Sequence, residues 1–141
     1  MGGHTRKGKS HAVRIVNEAL LREFHRDVCR HCGRRRPTCG HHVFARQVGN
    51  AGRIDARWNL CALCVECHSS SHDGNEPTRS TLLAYQAQDH GCLQDDLIEA
   101  KNWLRRMDKH AARNPEWLET CLVGLKPHAL RLVREALEEC K

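Results

Sequence analysis

Four cysteines and a group of histidines near the middle of the chain are the residues whose types and spacing could do chemistry. Cys29-x2-Cys32 and Cys64-x2-Cys67 form two knuckles. Two residues between cysteines let one turn present both sulfurs to a single ion, and two such turns complete a tetrahedron. Cys29, Cys32, Cys64 and Cys67 are therefore expected to hold a structural Zn2+ with no position left for water. A redox CxxC stands alone beside a βαβ unit, and the sequence has no such unit. Cys61 offers an overlapping pair with Cys64, but it should lie in a strand before the chain turns. Cys61 and Cys39 are read as small buried hydrophobes. Cys92, Cys121 and Cys140 are isolated and carry no assigned chemistry.

Imidazoles lie between and just after these thiols. His68 and His72 are four residues apart, so on a helix both rings leave the same face. His41 and His42 are adjacent, so on a strand they point to opposite sides. One member of that pair can ligate an ion while the other faces a water molecule. The separation matters because a ligating imidazole has committed its lone pair, whereas a free one titrates near neutrality and can take a proton. His4, His11, His25, His31, His90, His110 and His128 are read as solvated or locally packed, with His31 nearest the centre.

The elements that must position these groups are short. Residues 1–9 are glycine-rich and basic and read as a tail able to lie along phosphates. Ser10 is expected to cap a helix to about Asp27, with Val13, Val16, Leu20 and Phe24 as its apolar face. Residues 28–75 form the metal-binding centre, with Gly33 available for a tight turn. Within it His42-Val43-Phe44 and Trp58-Asn59-Leu60 fit strands around a polar loop, and a helix should start near Val65 and carry His68 and His72. Residues 76–141 read as a helical extension, with helices near 80–90, 94–111, 115–124 and 127–140. Gly91, Asn114-Pro115 and Pro127 supply the stops and starts. His11–Leu20 echoes His128–Leu137; two amphipathic helices of similar composition converge easily, whereas a duplication would pack the two terminal helices as equivalents. The expected class is α+β.

Composition agrees. With 141 residues, 40% hydrophobic and 4% aromatic, one modest core is expected, and metal stapling has a purpose. The formal net charge of +6 favours a polyanionic partner. Nine cysteines, an odd number that includes two CxxC pairs, argue for a reducing cytoplasm rather than a disulfide scaffold. No apolar run approaches the roughly 20 residues that span a bilayer. No signal-like stretch opens the chain, so an intracellular location in a prokaryotic cell or phage-infected host is expected.

The order Cys29-x2-Cys32, Gly40-His41-His42-Val43, Asn59-Leu60-x2-Leu63-Cys64-x2-Cys67-His68-x3-His72 resembles the HNH endonucleases, the ββα-metal nucleases with an added four-cysteine zinc. The likeness covers roughly residues 28–73. It implies that His41 is a ligand of the catalytic ion and His42 the general base. Asn59 would brace the base, and His68, joined by His72 as in colicin-like members, would complete the ligand set. It implies DNA as partner and cleavage to a 5′ phosphate and a 3′ hydroxyl. Many members have aspartate at the position of His41, so three imidazoles would bias the site toward Zn2+ or Ni2+ over Mg2+, with Mn2+ also able to serve.

Arg34, Arg35 and Arg36 on the knuckle edge, and Arg46, Arg53 and Arg57 in or beside the loop, flank this centre and are expected to touch phosphates, with Arg46 as the main clamp. The helices after residue 94 are expected to meet a second copy or a DNA-processing protein, so that truncation at Asp89 would leave nicking intact. Two other readings remain open at this point: a junction-resolving, structure-selective nuclease, and a zinc-stapled nucleic-acid-binding module without catalysis.

Overall fold

A computed structural model describes residues 12–35, 39–46 and 52–139. The basic tail, Ser10, Arg36, Gly49, Asn50 and Cys140 lie outside the described residues, as does the side chain of Cys39.

The architecture is α+β. Strands β1 (Cys39–His42) and β2 (Leu60–Leu63) form a two-stranded antiparallel sheet in which His41 faces Cys61 and His42 faces Leu60. Around it lie α1 (Glu18–Glu23), α2 (Val65–His72), α3 (Arg79–Asp89), α4 (Gln94–Arg106), α5 (Lys109–Arg113), α6 (Pro115–Leu122) and α7 (Pro127–Glu139). Strand β1 ends two residues earlier than expected, and Val43 and Phe44 instead turn into the core. Trp58 and Asn59 sit in a 3-10 turn, Arg57–Asn59, that feeds β2.

The N-terminal segment differs most from expectation. Instead of a helix from Ser10, residues 12–17 are not helical. Ile15 exchanges backbone hydrogen bonds with Arg53 and Asp55, and the Val13 N–H donates to the Met107 carbonyl. Those pairings bury Val13 and Ile15 on one period-two face and leave Val16 exposed. Only after Asn17, whose side chain accepts from the Leu20 N–H, does the helix start. The echo between the two ends of the chain thus has no structural counterpart, because residues 12–17 are extended and 127–139 helical. The helix expected over 94–111 breaks at Met107 for a related reason. Asp108 bridges to Ala12, and its side chain caps α5 by accepting from the His110 and Ala111 N–H groups.

One core joins the described segments. Ile15 and Val13 from the N-terminal segment, Val43, Phe44, Ile54, Trp58 and Leu63 from the centre, and Leu82, Leu97, Leu104, Leu132 and Val133 from the helices are buried in a single cluster. The Trp58 indole N–H donates to the Leu132 carbonyl at 2.8 Å, and the Gln86 side-chain amide donates to the carbonyls of Arg57, Trp58 and Leu60. The helices after residue 76 thus position β2. Trp103 is buried, and its indole N–H donates to the Cys121 carbonyl. Truncation at Asp89 would strip Leu97, Leu104, Leu132 and Val133 from this core, so a folded nicking remnant is no longer the expected product. Among the described residues no helix is long and apolar enough to cross a membrane.

Candidate metal centre

Two clusters of metal-ligating side chains emerge from this packing. The first joins Cys29, Cys32, Cys64 and Cys67, whose sulfurs all lie within 4.8 Å of one another. Gly33, with φ +69°, makes the turn that closes the first knuckle, and its N–H donates to the Cys29 carbonyl. The Cys32 and Cys67 N–H groups donate to the sulfurs of Cys29 and Cys64 at 3.5 Å each. Cys32 Sγ lies 3.9 Å from Cys64 Sγ, close to the ~3.8 Å edge of a tetrahedron with sulfur about 2.3 Å from its centre.

Within the donor set the sulfurs oppose one another's ionisation. Burial pushes the Cys29 thiol up, but N–H groups of Cys32, Cys64 and His31 overcome it and bring it down to about 6. Burial and the neighbouring sulfurs push Cys67 up to about 12, because a further negative charge in the cluster is repelled. A divalent ion removes that conflict. Cys61 stands apart from the cluster, buried, its thiol pushed up to about 12 by desolvation. The knuckle itself is docked on α3. The Arg30 guanidinium pairs with Asp89 and lies 4.2 Å over the Tyr85 ring, while His31 Nδ1 is 2.7 Å from the Tyr85 hydroxyl.

The second cluster joins His41, His68 and His72, again with ligand atoms within 4.8 Å of one another. Strand β1 supplies His41, and α2, which begins at the knuckle cysteine Cys64, supplies the other two one turn apart. Gly40 permits the approach of the strand to its neighbours, since a Cβ there would meet the Phe24 ring at 3.3 Å. His68 Nε2 and His72 Nε2 are 2.8 Å apart, and the His41 ring meets them edge-on with centroid separations of 4.7 and 5.3 Å. Burial, then the charges of His68, His72, His42 and Arg79, holds His41 down at about 4. His68 is lowered by burial and by His72 and His42. Imidazoles that converge in this way fit a borderline divalent ion.

His42 leaves the strand toward a different partner, one that the sequence reading missed. Its Nε2 lies 2.7 Å from Asp55 Oδ1, and Asp55 is fully buried. Asp55 also accepts from the Arg53 guanidinium at 2.7 to 3.0 Å and from the Asn17 N–H at 2.8 Å. Burial alone would push this carboxyl up. The hydrogen bonds from His42 and Arg53, then that from Asn17, prevail and hold it at about 2. An ionised carboxylate can only accept, so Nε2 of His42 donates to it, and Nδ1 is the nitrogen not committed to Asp55. A signal for Asp55 does exist in the sequence: Arg53 and Asp55 are two apart and flank Ile54, as on one face of an extended segment.

Replacing Asp55 by asparagine is expected to destabilise the fold by roughly 3–5 kcal/mol, because Arg53 then loses its buried counter-charge. The parent carboxyl lies below its ordinary value of 3.8, so its stabilisation is complete above that value and disappears as pH falls toward about 2. Denaturant unfolding at neutral and acid pH reads both effects. A variant as stable as the parent at pH ~7 would contradict the assignment.

Asn59, fully buried, braces the same segment. Its Oδ1 accepts from the Phe44 N–H at 2.7 Å, and its amide donates to the carbonyls of Ile54 and Phe44 at 2.8 and 3.3 Å. One side chain thus ties the residue after Val43 to the residue before Asp55, fixing both partners of the His42–Asp55 contact.

His41, His42, His68 and His72 share the lining of one open cleft of about 700 Å3 with Arg46, Arg53 and Arg79. Of the arginines flagged in the sequence, Arg53 faces inward to Asp55 and Glu18, and Arg57 pairs with Glu23 and Glu139. Arg35 pairs with Glu66, and Arg34 is exposed on the knuckle. Arg46 is exposed and lines the cleft. Compared with known proteins, the chain matches no family model, no curated protein and no solved structure.

Proposed function

We propose that this protein is a metal-dependent DNA endonuclease of the HNH type, hydrolysing phosphodiester bonds to leave a 5′ phosphate and a 3′ hydroxyl. The observation that carries the reading is the placement of His42, bound to a buried carboxylate, on the wall of the cleft that holds three convergent imidazoles. Binding alone does not call for a histidine set in this way.

His41, His68 and His72 would hold a divalent ion, with Zn2+, Ni2+, Mn2+ or Mg2+ as candidates, and that ion would supply Lewis-acid charge at the scissile phosphate and leaving oxygen. His42 takes a proton from the attacking water at Nδ1, the nitrogen not committed to Asp55. Asp55 fixes the tautomer and stabilises the imidazolium that results, as a buried carboxylate does behind other catalytic histidines. Arg53 and the Asn17 N–H keep Asp55 ionised. Asn59 holds the backbone that carries both groups, a positioning role. Cys29, Cys32, Cys64 and Cys67 would hold a structural Zn2+ that anchors the start of α2, and with it His68 and His72.

Metal analysis with an end-labelled duplex tests this reading. After dialysis against a weak chelator the protein should retain one tightly held zinc and cut nothing. Adding a divalent ion should load a second equivalent and restore cleavage with the stated end groups. His68→Ala should keep the first equivalent and lose the second together with the cleavage. One zinc and no second equivalent in the parent would favour a non-catalytic nucleic-acid-binding module instead.

A further inference from the structure

Arg79 begins α3 and projects into the cleft that holds the imidazoles. Lys101 and Arg105 stand one turn apart on α4, and both are drawn against the segment that follows His42. Lys101 Nζ lies 5.0 Å from the centre of the Phe44 ring, and the Arg105 guanidinium donates to the Ala45 carbonyl at 2.6 Å and to the Gly52 carbonyl at 3.4 Å. Among the described residues none of the three has a carboxylate within salt-bridge distance, whereas Arg30, Arg35, Arg53, Arg57, Arg131 and Arg134 are all paired. Desolvation lowers Lys101, and the charges of Arg105 and Arg79 lower it further; Arg105 is lowered by desolvation and then by Arg79. Three like charges, two of them partly desolvated, work against the fold, since like pairs one helical turn apart are already unfavourable. Arg105 and Lys101 are moreover held by a carbonyl and a ring, contacts that fix their position without neutralising them.

We propose that Arg79, Lys101 and Arg105 form a phosphate-binding ridge that grips the sugar–phosphate backbone of one DNA strand as it leaves the imidazole cleft. The proposal rests on the nuclease reading for its ligand and assigns the substrate grip to helices outside the metal-binding centre. Guanidinium and ammonium groups in a row match consecutive phosphates and carry no base identity. The ridge therefore binds duplex without regard to sequence, through charge.

The test is the salt dependence of binding to a plain duplex, measured by fluorescence anisotropy with protein in the His42→Ala background so that no cutting intervenes. Each phosphate contact contributes about 0.9 to the slope of log affinity against log salt. Arg79→Gln, Lys101→Gln and Arg105→Gln together should lower that slope by roughly 2–3. Arg79→Lys with Lys101→Arg, which keep the charges, should restore most of it when Arg105 is left intact. Arg134→Gln removes a cation already paired with Glu119 and away from the cleft, and should leave the slope unchanged. Thermal melting and zinc content show whether the triple variant is folded, and Arg79→Gln alone, at an exposed site, should still lose about 0.9 of slope. An unchanged slope in folded Arg79→Gln and triple variants would overturn the ridge while leaving the nuclease reading intact. A parent that binds through the ridge yet never cuts with any ion would overturn the nuclease reading and leave the ridge standing.

Discussion

Cys64→Ser should leave the protein without its zinc and without a cooperative thermal transition near that of the parent. A structural zinc supplies on the order of 10–16 kcal/mol to a small domain, whereas the net stability of such domains is only about 5–15 kcal/mol. Losing one thiolate of four forfeits enough of that to exceed the margin. The substitution is also a clean one. Cys64 caps α2 by accepting from the Cys67 N–H, and serine caps helices well, so the helix start survives and only the thiolate is removed. Elemental analysis and a melting curve read the result. Cys61 is buried and lies outside the sulfur cluster, opposite His41 in the sheet, so it has no route to rescue the site without turning β2 over. Retention of both zinc and melting temperature in C64S would mean that the four sulfurs are not a zinc site.

His42→Ala should slow cleavage by about 10²–10⁴ with little loss of stability. A positioned general base contributes about 10²–10⁴ in rate, or roughly 3–5 kcal/mol of the barrier at ~1.4 kcal/mol per tenfold. The His42 side chain is largely buried and its hydrogen bond helps to hold Asp55 ionised, but Asp55 keeps Arg53 and the Asn17 N–H as partners. The variant should therefore load both ions and fold while turning over far more slowly. Cleavage lost together with zinc or with the melting transition would instead mark His42 as a structural residue.

The ligand sets were legible in the sequence because each knuckle and each HxxxH is local, set by one turn or one helical repeat. The strand pair was legible too, since adjacent histidines on a strand must separate to its two sides, and here His41 meets His68 and His72 while His42 meets Asp55. Asp55 itself was hidden inside a stretch that reads as polar loop. Its burial depends on Ile15 pairing with Arg53 and Asp55, a contact made across 38 to 40 residues that no periodicity announces. The same pairing explains why Val13 and Val16 did not join the helix their spacing suggested. Arg79, Lys101 and Arg105 look in the sequence like ordinary charges on amphipathic helices. Their meaning comes only from α3 and α4 packing into the core behind the cleft. Conversely, Arg53 and Arg57 sat next to the motif and drew attention as phosphate contacts, yet both hold carboxylates. Proximity along the chain picked out the two candidate clusters, but not the carboxylate partners of these arginines.

The most direct measurement is conversion of supercoiled plasmid to nicked or linear form by parent and His42→Ala, each zinc-loaded and supplied in turn with Mg2+, Mn2+, Ni2+ or Zn2+. The parent should cut with at least one of these ions and His42→Ala should be slower by about 10²–10⁴ in the same ion. Failure of every ion to support cutting by the parent, or equal rates for the two proteins, would contradict the assignment of this cleft to phosphodiester hydrolysis.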